Sequence, residues 1–302
     1  MKKLLILILI TMSITSCIDK TLRSRESQNR TQYPPEKMFD GKDLEAAQLL
    51  FDGKYEELKT YIDSDKIKLN HLNDKKAYSL LMYATIIEDL NGMEFLLKNG
   101  ADPNLVCNDV DFETTLNHAV SINNYDMINL LLKYKANINP SVGVAPLVKA
   151  MFLGDEKTER KMIDFLLNNG ADINHESFYG KNIMDAATHD SFELANYFLD
   201  KGGKPIISGT SLCPLATYVE YKEKKFSENN KVSNDLVEFK QRLIKEYNVK
   251  FPYQENELEA SKHRVELYEK LNERDRMSVN FKNDLGEKSY KKNLAYIKQH
   301  SR

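Results

Sequence analysis

Cysteine is scarce in this chain, with three residues in 302. That is too few for a disulfide framework. Long apolar runs are missing after the first seventeen residues. A bilayer-spanning helix takes about 20 apolar residues, so no transmembrane helix is expected in the mature chain. A basic excess is also missing. The 43 Lys and Arg against 45 Asp and Glu give a formal net charge of −2, which argues against a general nucleic-acid binder. The balance is uneven, however: 24 basic against 31 acidic residues over 1–220, and 19 against 14 over 221–302. Interleaved charges of that second kind read as a solvated helical surface. Catalytic signatures are absent too. There is no G-x-S-x-G, no Walker loop and no dinucleotide fingerprint. The six histidines fall in no metal-ligand spacing; His175 and His189 sit in neighbouring segments but lack a third ligand. The sequence is therefore read as that of no enzyme, with no cofactor and no metal.

What is present begins with the first seventeen residues. Lys2 and Lys3 precede the apolar run Leu4–Ile10 and the milder Thr11–Ser16, the layout of a secretory signal. The segment ends Ile14-Thr15-Ser16-Cys17, which resembles the lipobox of bacterial lipoproteins. The resemblance implies cleavage before Cys17, acylation of Cys17, and a bilayer partner through the acyl anchor. It also implies a cell-membrane location facing the periplasm, with Ile18 favouring the outer membrane. Cys107 and Cys213 are then expected to be free. Residues 18–37 are polar, contain Pro34-Pro35, and read as a flexible tether. Initiation at Met38 would give a cytosolic form without signal or anchor.

The body of the chain repeats itself. Leu96-Leu97-Lys98-Asn99-Gly100-Ala101-Asp102-Pro103-Asn104 recurs as Leu131–Asn139 and Leu166–Asn174, at intervals of 35 residues. Degraded copies end at Leu69-Asn70 and at Gly202. A second mark lies between these, at Ser79–Ala84, Thr114–Ala119, Ala145–Ala150, Gly180–Ala187 and Gly209–Ala216. Two marks in register resemble the ankyrin repeat. That implies an all-α solenoid of stacked helix pairs with short finger hairpins over 38–252, in about five or six repeats, whose stability comes largely from interfaces between repeats. The first unit, Asp40–Lys75, is expected to be the N-terminal cap. Paired leucines supply the apolar face of each second helix. Gly100, Gly170 and Gly202 end those helices, and Asp102, Asn104 and their equivalents satisfy the turns. Lys135 stands where Gly is expected, Gly154–Lys161 lengthens an inter-helix turn, and Tyr221–Ser233 lengthens another. Residues 253–302 lack the repeat marks. They read as a helix over about 255–276, a break at Asn280–Gly286 and a short final helix, together capping the open end of the solenoid.

Ankyrin repeats meet protein partners through the finger tips and the end of the first helix, so the resemblance implies a protein partner and a set of contact residues. On this chain they are Tyr78, Ile86 and Ile87; Val110, Asp111, Glu113 and Ile122; Val144, Phe152 and Leu153; and Phe178, Tyr179 and His189. Apolar side chains dominate the set, and contiguous exposed apolar patches mark interaction sites. The expected function is a membrane-anchored, monomeric protein-binding module. Small ankyrin lipoproteins resemble immunity proteins found beside interbacterial toxins, including type VI secretion lipases, so a secreted lipase toxin is one partner implied. A structural or assembly scaffold of the cell envelope is the alternative.

Overall fold

The computed structural model describes residues 25–107, 113–178, 184, 192–227, 233–280 and 285–301. Among them, paired helices follow one another along the chain. The first pair is Gly41–Phe51 and Tyr55–Asp63, the second Leu80–Ile86 and Leu90–Lys98, the third Thr115–Ser121 and Tyr125–Lys133. In the fourth, Pro146–Lys149 passes into a 3₁₀ turn, Ala150–Phe152, before Glu156–Asn168. Phe192–Asp200 is the second helix of the fifth repeat, and Pro214–Ser227 with Asn234–Tyr247 forms the sixth pair. These residues belong to two compact units. One holds 25–107 with 114–119 and 124–136; the other holds 113, 120–123 and the chain from 137 onward.

The repeat marks become structure for identifiable reasons. Ser79, Thr114 and Ser233 accept a backbone N–H three residues on, as do Asp89, Asn124 and Asp155, so each fixes a helix start. Ala84, Ala119, Ala150 and Ala216 are fully buried where two helices meet. Leu96, Leu131 and Leu166, one from each second helix, are also fully buried. The helices end on Gly100, Gly170 and Gly202, with φ of 92°, 94° and 92°. Lys135 takes the same left-handed place with φ 65°, at a cost that glycine avoids.

Each finger asparagine then clamps the next repeat. Asn70 Nδ2 donates to Gly100 O at 3.1 Å, while its Oδ1 accepts from Asp102 N at 2.7 Å. Asn139 does the same to Gly170 O and Asp172 N, and Asn174 to Gly202 O and Lys204 N. Asn104 Nδ2 donates to Lys135 O. Asp102, Asn137 and Asp172 close their own turns onto the N–H two residues later.

Three expectations about the chain's layout are corrected. Of the flexible tether expected at 18–37, residues 18–24 lie outside the described residues and the remainder is ordered. Residues 25–32 are helical and a short helix follows at Pro35–Met38. The order comes from polar side chains that reach the repeats, described below. The expected long turn at Gly154–Lys161 ends at Asp155, which caps Glu156–Asn168 through Thr158 N. The extra residues lengthen the helix because Glu156 and Glu159 suit its positive N-terminal end. Likewise residues 221–227 of the expected Tyr221–Ser233 stretch extend the helix Pro214–Ser227, and 228–232 lie outside the described residues.

The C-terminal extension forms Glu257–Glu269, Glu273–Asn280 and Leu285–His300, the first and last packed side by side. It does more than cover the last repeat. Tyr268, Leu271 and Val279 bury themselves with Val142 and Phe178, which lie in the fingers of the fourth and fifth repeats. Those two fingers are joined by a parallel β-bridge, with Gly143 N donating to Phe178 O and Phe178 N to Ser141 O. The last repeat is held as well: Ser211 donates through N and Oγ to Glu259, and Tyr253 Oη accepts from Cys213 N.

Candidate protein-binding surface

In the second unit, the fourth repeat carries the most exposed of the expected contacts among the described residues. Ala145 caps a helix whose first residue is Pro146, a position where proline's missing N–H costs nothing. The helix then tightens to three residues per turn at Ala150–Phe152. That tightening carries Phe152 off the face shared by the buried Leu147, Val148 and Met151. Phe152 is 52% exposed, a large apolar side chain left in water. Leu153 and Val144 are half-buried, as is Ile122, which the same unit includes. Glu113 is half-buried, and its carboxylate lies 3.8 Å from Lys149 Nζ. Among the described residues of the expected set, this unit thus holds one exposed aromatic and several half-buried aliphatic and charged residues.

Three other expected contacts are corrected. Phe178 is 6% exposed. Its ring lies 5.6 Å from that of Tyr268, so the chain's own C-terminal helices cover it. Ile86 and Ile87 are 8% and 0% exposed and belong to the core of the first unit. Their helix is covered by the segment read as a tether: Tyr83 Oη donates to Tyr33 O at 2.9 Å, and Glu88, next after Ile87, receives side chains from residues 25–32. Tyr78 is half-buried, with its carbonyl accepting from Asn73 N and Nδ2. Cys17, Val110, Asp111, Tyr179 and His189 lie outside the described residues.

The polar residues that hold the first unit's cover were not foreseen. Glu88 has φ 57°, in the inter-helix turn where Gly53 and Asn123 occupy the equivalent places with φ 69° and 55°. Its buried carboxylate accepts from Arg25 Nε at 3.0 Å and Asn29 Nδ2 at 3.0 Å on one oxygen, and from Asn124 Nδ2 at 3.2 Å on the other. Asp89 beside it accepts from Tyr55 Oη and Gly92 N, with Arg30 at 3.5 Å. Arg30 also donates to Phe51 O and lies over the Phe51 ring. Burial first, and then the Asp89 charge, push the Tyr55 phenol up to about 12. The available signal was the glutamate itself. A long acidic side chain in a turn that wants positive φ is strained, and such strain persists only when the surroundings hold it.

Among the described residues, no group of His, Cys, Asp and Glu is placed to hold a metal ion. His175 Nε2 donates to Pro140 O at 2.7 Å, and His263 Nε2 lies 2.8 Å from Glu176 Oε2. Cys107 and Cys213 are buried free thiols. Burial pushes the Cys213 thiol up to about 11, the opposite of the depressed value that makes a cysteine reactive. No described helix is long and apolar enough to cross a membrane.

Residues 42–142, and in an overlapping match 81–177, fit the family model described as ankyrin repeats (3 copies). An ankyrin repeat protein of fowlpox virus (strain NVSL) is 30% identical over 114 residues, 36% of this chain and 24% of the viral one. Human ankyrin repeat and SOCS box protein 14 is 33% identical over 150 residues, 50% of this chain and 23% of that one. The chain therefore spans about a quarter of the length of the curated relatives it matches. Repeats of this kind are typically a protein–protein interaction scaffold, and the matches name no catalytic activity.

Proposed function

We propose, from the premise that this chain is built on ankyrin repeats, that it is a lipid-anchored module which binds and neutralises a secreted toxin of phospholipase type. The exposure of Phe152 is the observation that supports binding through the repeats. A large aromatic at 52% exposure gains most when a partner dehydrates it, and such anchors dominate interface energies. The anchor rests on the signal-like residues 1–16 and the lipobox-like Ile14–Cys17. A toxin that attacks phospholipids acts at a bilayer, so a neutralising protein held on a bilayer meets it there. The toxin class rests on the resemblance to ankyrin lipoproteins and not on any residue.

The test has two separate parts. Cells making the chain are labelled with radioactive fatty acid. Wild type should carry the label and Cys17→Ser should not; label on the variant overturns the anchor. The purified chain is then titrated against the secreted hydrolase encoded nearest to its gene. Tight binding that Phe152→Ala weakens by about 2 kcal/mol or more is expected for a hot spot, with the free protein's melting curve unchanged. A hydrolase that neither binds nor is inhibited overturns the toxin reading. We further propose a cytosolic form started at Met38, which would lack Arg25, Asn29 and Arg30. A shorter cytosolic band on a blot, lost in Met38→Leu, supports it; no such band in wild type ends it.

A further inference from the structure

The basic excess of the C-terminal region has one source. Residues 221–284 carry 14 basic and 13 acidic residues, whereas 285–302 carry 5 and 1. The helix Leu285–His300 holds most of the second group. Its side toward the rest of the unit is set by Asn293, which is buried, and by Tyr290, which is half-buried, stacks on Tyr268 at 4.7 Å and donates to Glu269. Lys288, Lys291, Lys292 and Lys298 are exposed. Spacings of three, four, six and seven residues place all four within about a third of the helix circumference. Lys291 is paired with Glu287 of its own helix at 2.5 Å. The stripe runs about 15 Å along the axis, at about 1.5 Å of rise per residue.

From this geometry we infer that the exposed face of Leu285–His300 is a docking surface for an anionic phospholipid bilayer. The charge is complementary: a row of flexible ammonium groups on one helix face meets a plane of phosphates without needing a shaped pocket. Each lysine near such a surface is worth about fivefold in binding. Choosing a bilayer over another polyanion rests on the anchored reading of residues 1–17. A lipid chain and a basic patch commonly act as the two signals that hold a protein on a membrane.

The experiment uses the full chain carrying Cys17→Ser, so that no acyl chain contributes. Co-sedimentation is measured with vesicles of phosphatidylcholine alone and of phosphatidylcholine with phosphatidylglycerol. The segment Lys2–Ile10 contributes equally in every variant, so the change in the ratio between variants reads the stripe. A ratio of at least tenfold is expected at low salt. Salt should reduce it, because surface electrostatics are screened. Changing Lys288, Lys292 and Lys298 together to Gln should lower the ratio at least about fivefold, the effect of one lysine, while changing the same three to Arg should preserve it. Circular dichroism melts of both triple variants confirm that they remain folded. The inference is overturned if the Gln variant sediments as wild type does. It is equally overturned if the Arg variant loses the ratio, or if the chain retards a DNA duplex but shows no preference for anionic vesicles. Fatty-acid labelling of wild type is scored separately, so failure of the anchor and failure of the stripe give different results.

Discussion

The first unit is covered by polar side chains and the second by apolar ones. In the first, the helix at residues 25–32 is held through Arg25, Asn29 and Arg30 on the buried carboxylates of Glu88 and Asp89. In the second, the C-terminal helices are held through Tyr268, Leu271 and Val279 on Val142 and Phe178. The apolar cover draws its stability from dehydrated area, which is non-directional and tolerates small shifts. A polar cover depends on every donor finding its acceptor, and removing one partner leaves the other buried without it. The two ends of the chain should therefore respond differently to truncation of a single side chain.

The largest effect is expected at Tyr268, which is 8% exposed and touches both Phe178 and Tyr290. Tyr268→Ala should cost about 3 kcal/mol in urea unfolding, the usual scale for deleting a buried aromatic. A cost below about 1 kcal/mol would mean that the tail lies on the fingers without stabilising them. Next comes Glu88. Glu88→Ala should cost about 2 kcal/mol, since Arg25, Asn29 and Asn124 lose one shared acceptor. Arg25→Ala should cost under about 1 kcal/mol, because that side chain is 39% exposed and solvent weakens its pairing. Equal costs at Glu88 and Arg25 would show that the carboxylate matters through that ion pair alone. Lys135→Gly should stabilise by up to about 1 kcal/mol by relieving a left-handed backbone, offset in part by a freer unfolded chain. A destabilised variant would show that the lysine side chain contributes more than the backbone strain takes away. The smallest effect concerns the thiols. Folded protein should resist alkylation at both Cys107 and Cys213, each buried, and should be labelled at both in denaturant. Labelling of Cys213 without denaturant would show that the last repeat opens easily.

The repeated segments were legible because each carries its own local instructions. Ser79, Thr114, Gly100, Gly170 and the finger asparagines act within a few residues or one repeat away, so a 35-residue period declares them. Even the departure at Lys135 was visible, as a lysine where glycine belongs. Phe152 was picked as a contact from its place in the repeat, and the tightened turn at Ala150–Phe152 leaves it in water. Ile86 and Ile87 stood at the same end of the first helix and Phe178 in a finger, yet all three are covered. The tightened turn is one difference between these residues and Phe152. A second is a partner far along the chain: Tyr33 and Arg25 on one side, and Tyr268, ninety residues beyond Phe178, on the other. Residues 25–32 and 253–302 repeat nothing, so their sequence offered composition and helical spacing but no docking site. By itself the sequence determined the repeat, its caps and its turns, because those are short-range hydrogen bonds and side-chain volumes. Only the tertiary structure decided which of the repeat's faces stay open to water, because that depends on where two unrepeated segments find buried carboxylates and apolar fingers to cover.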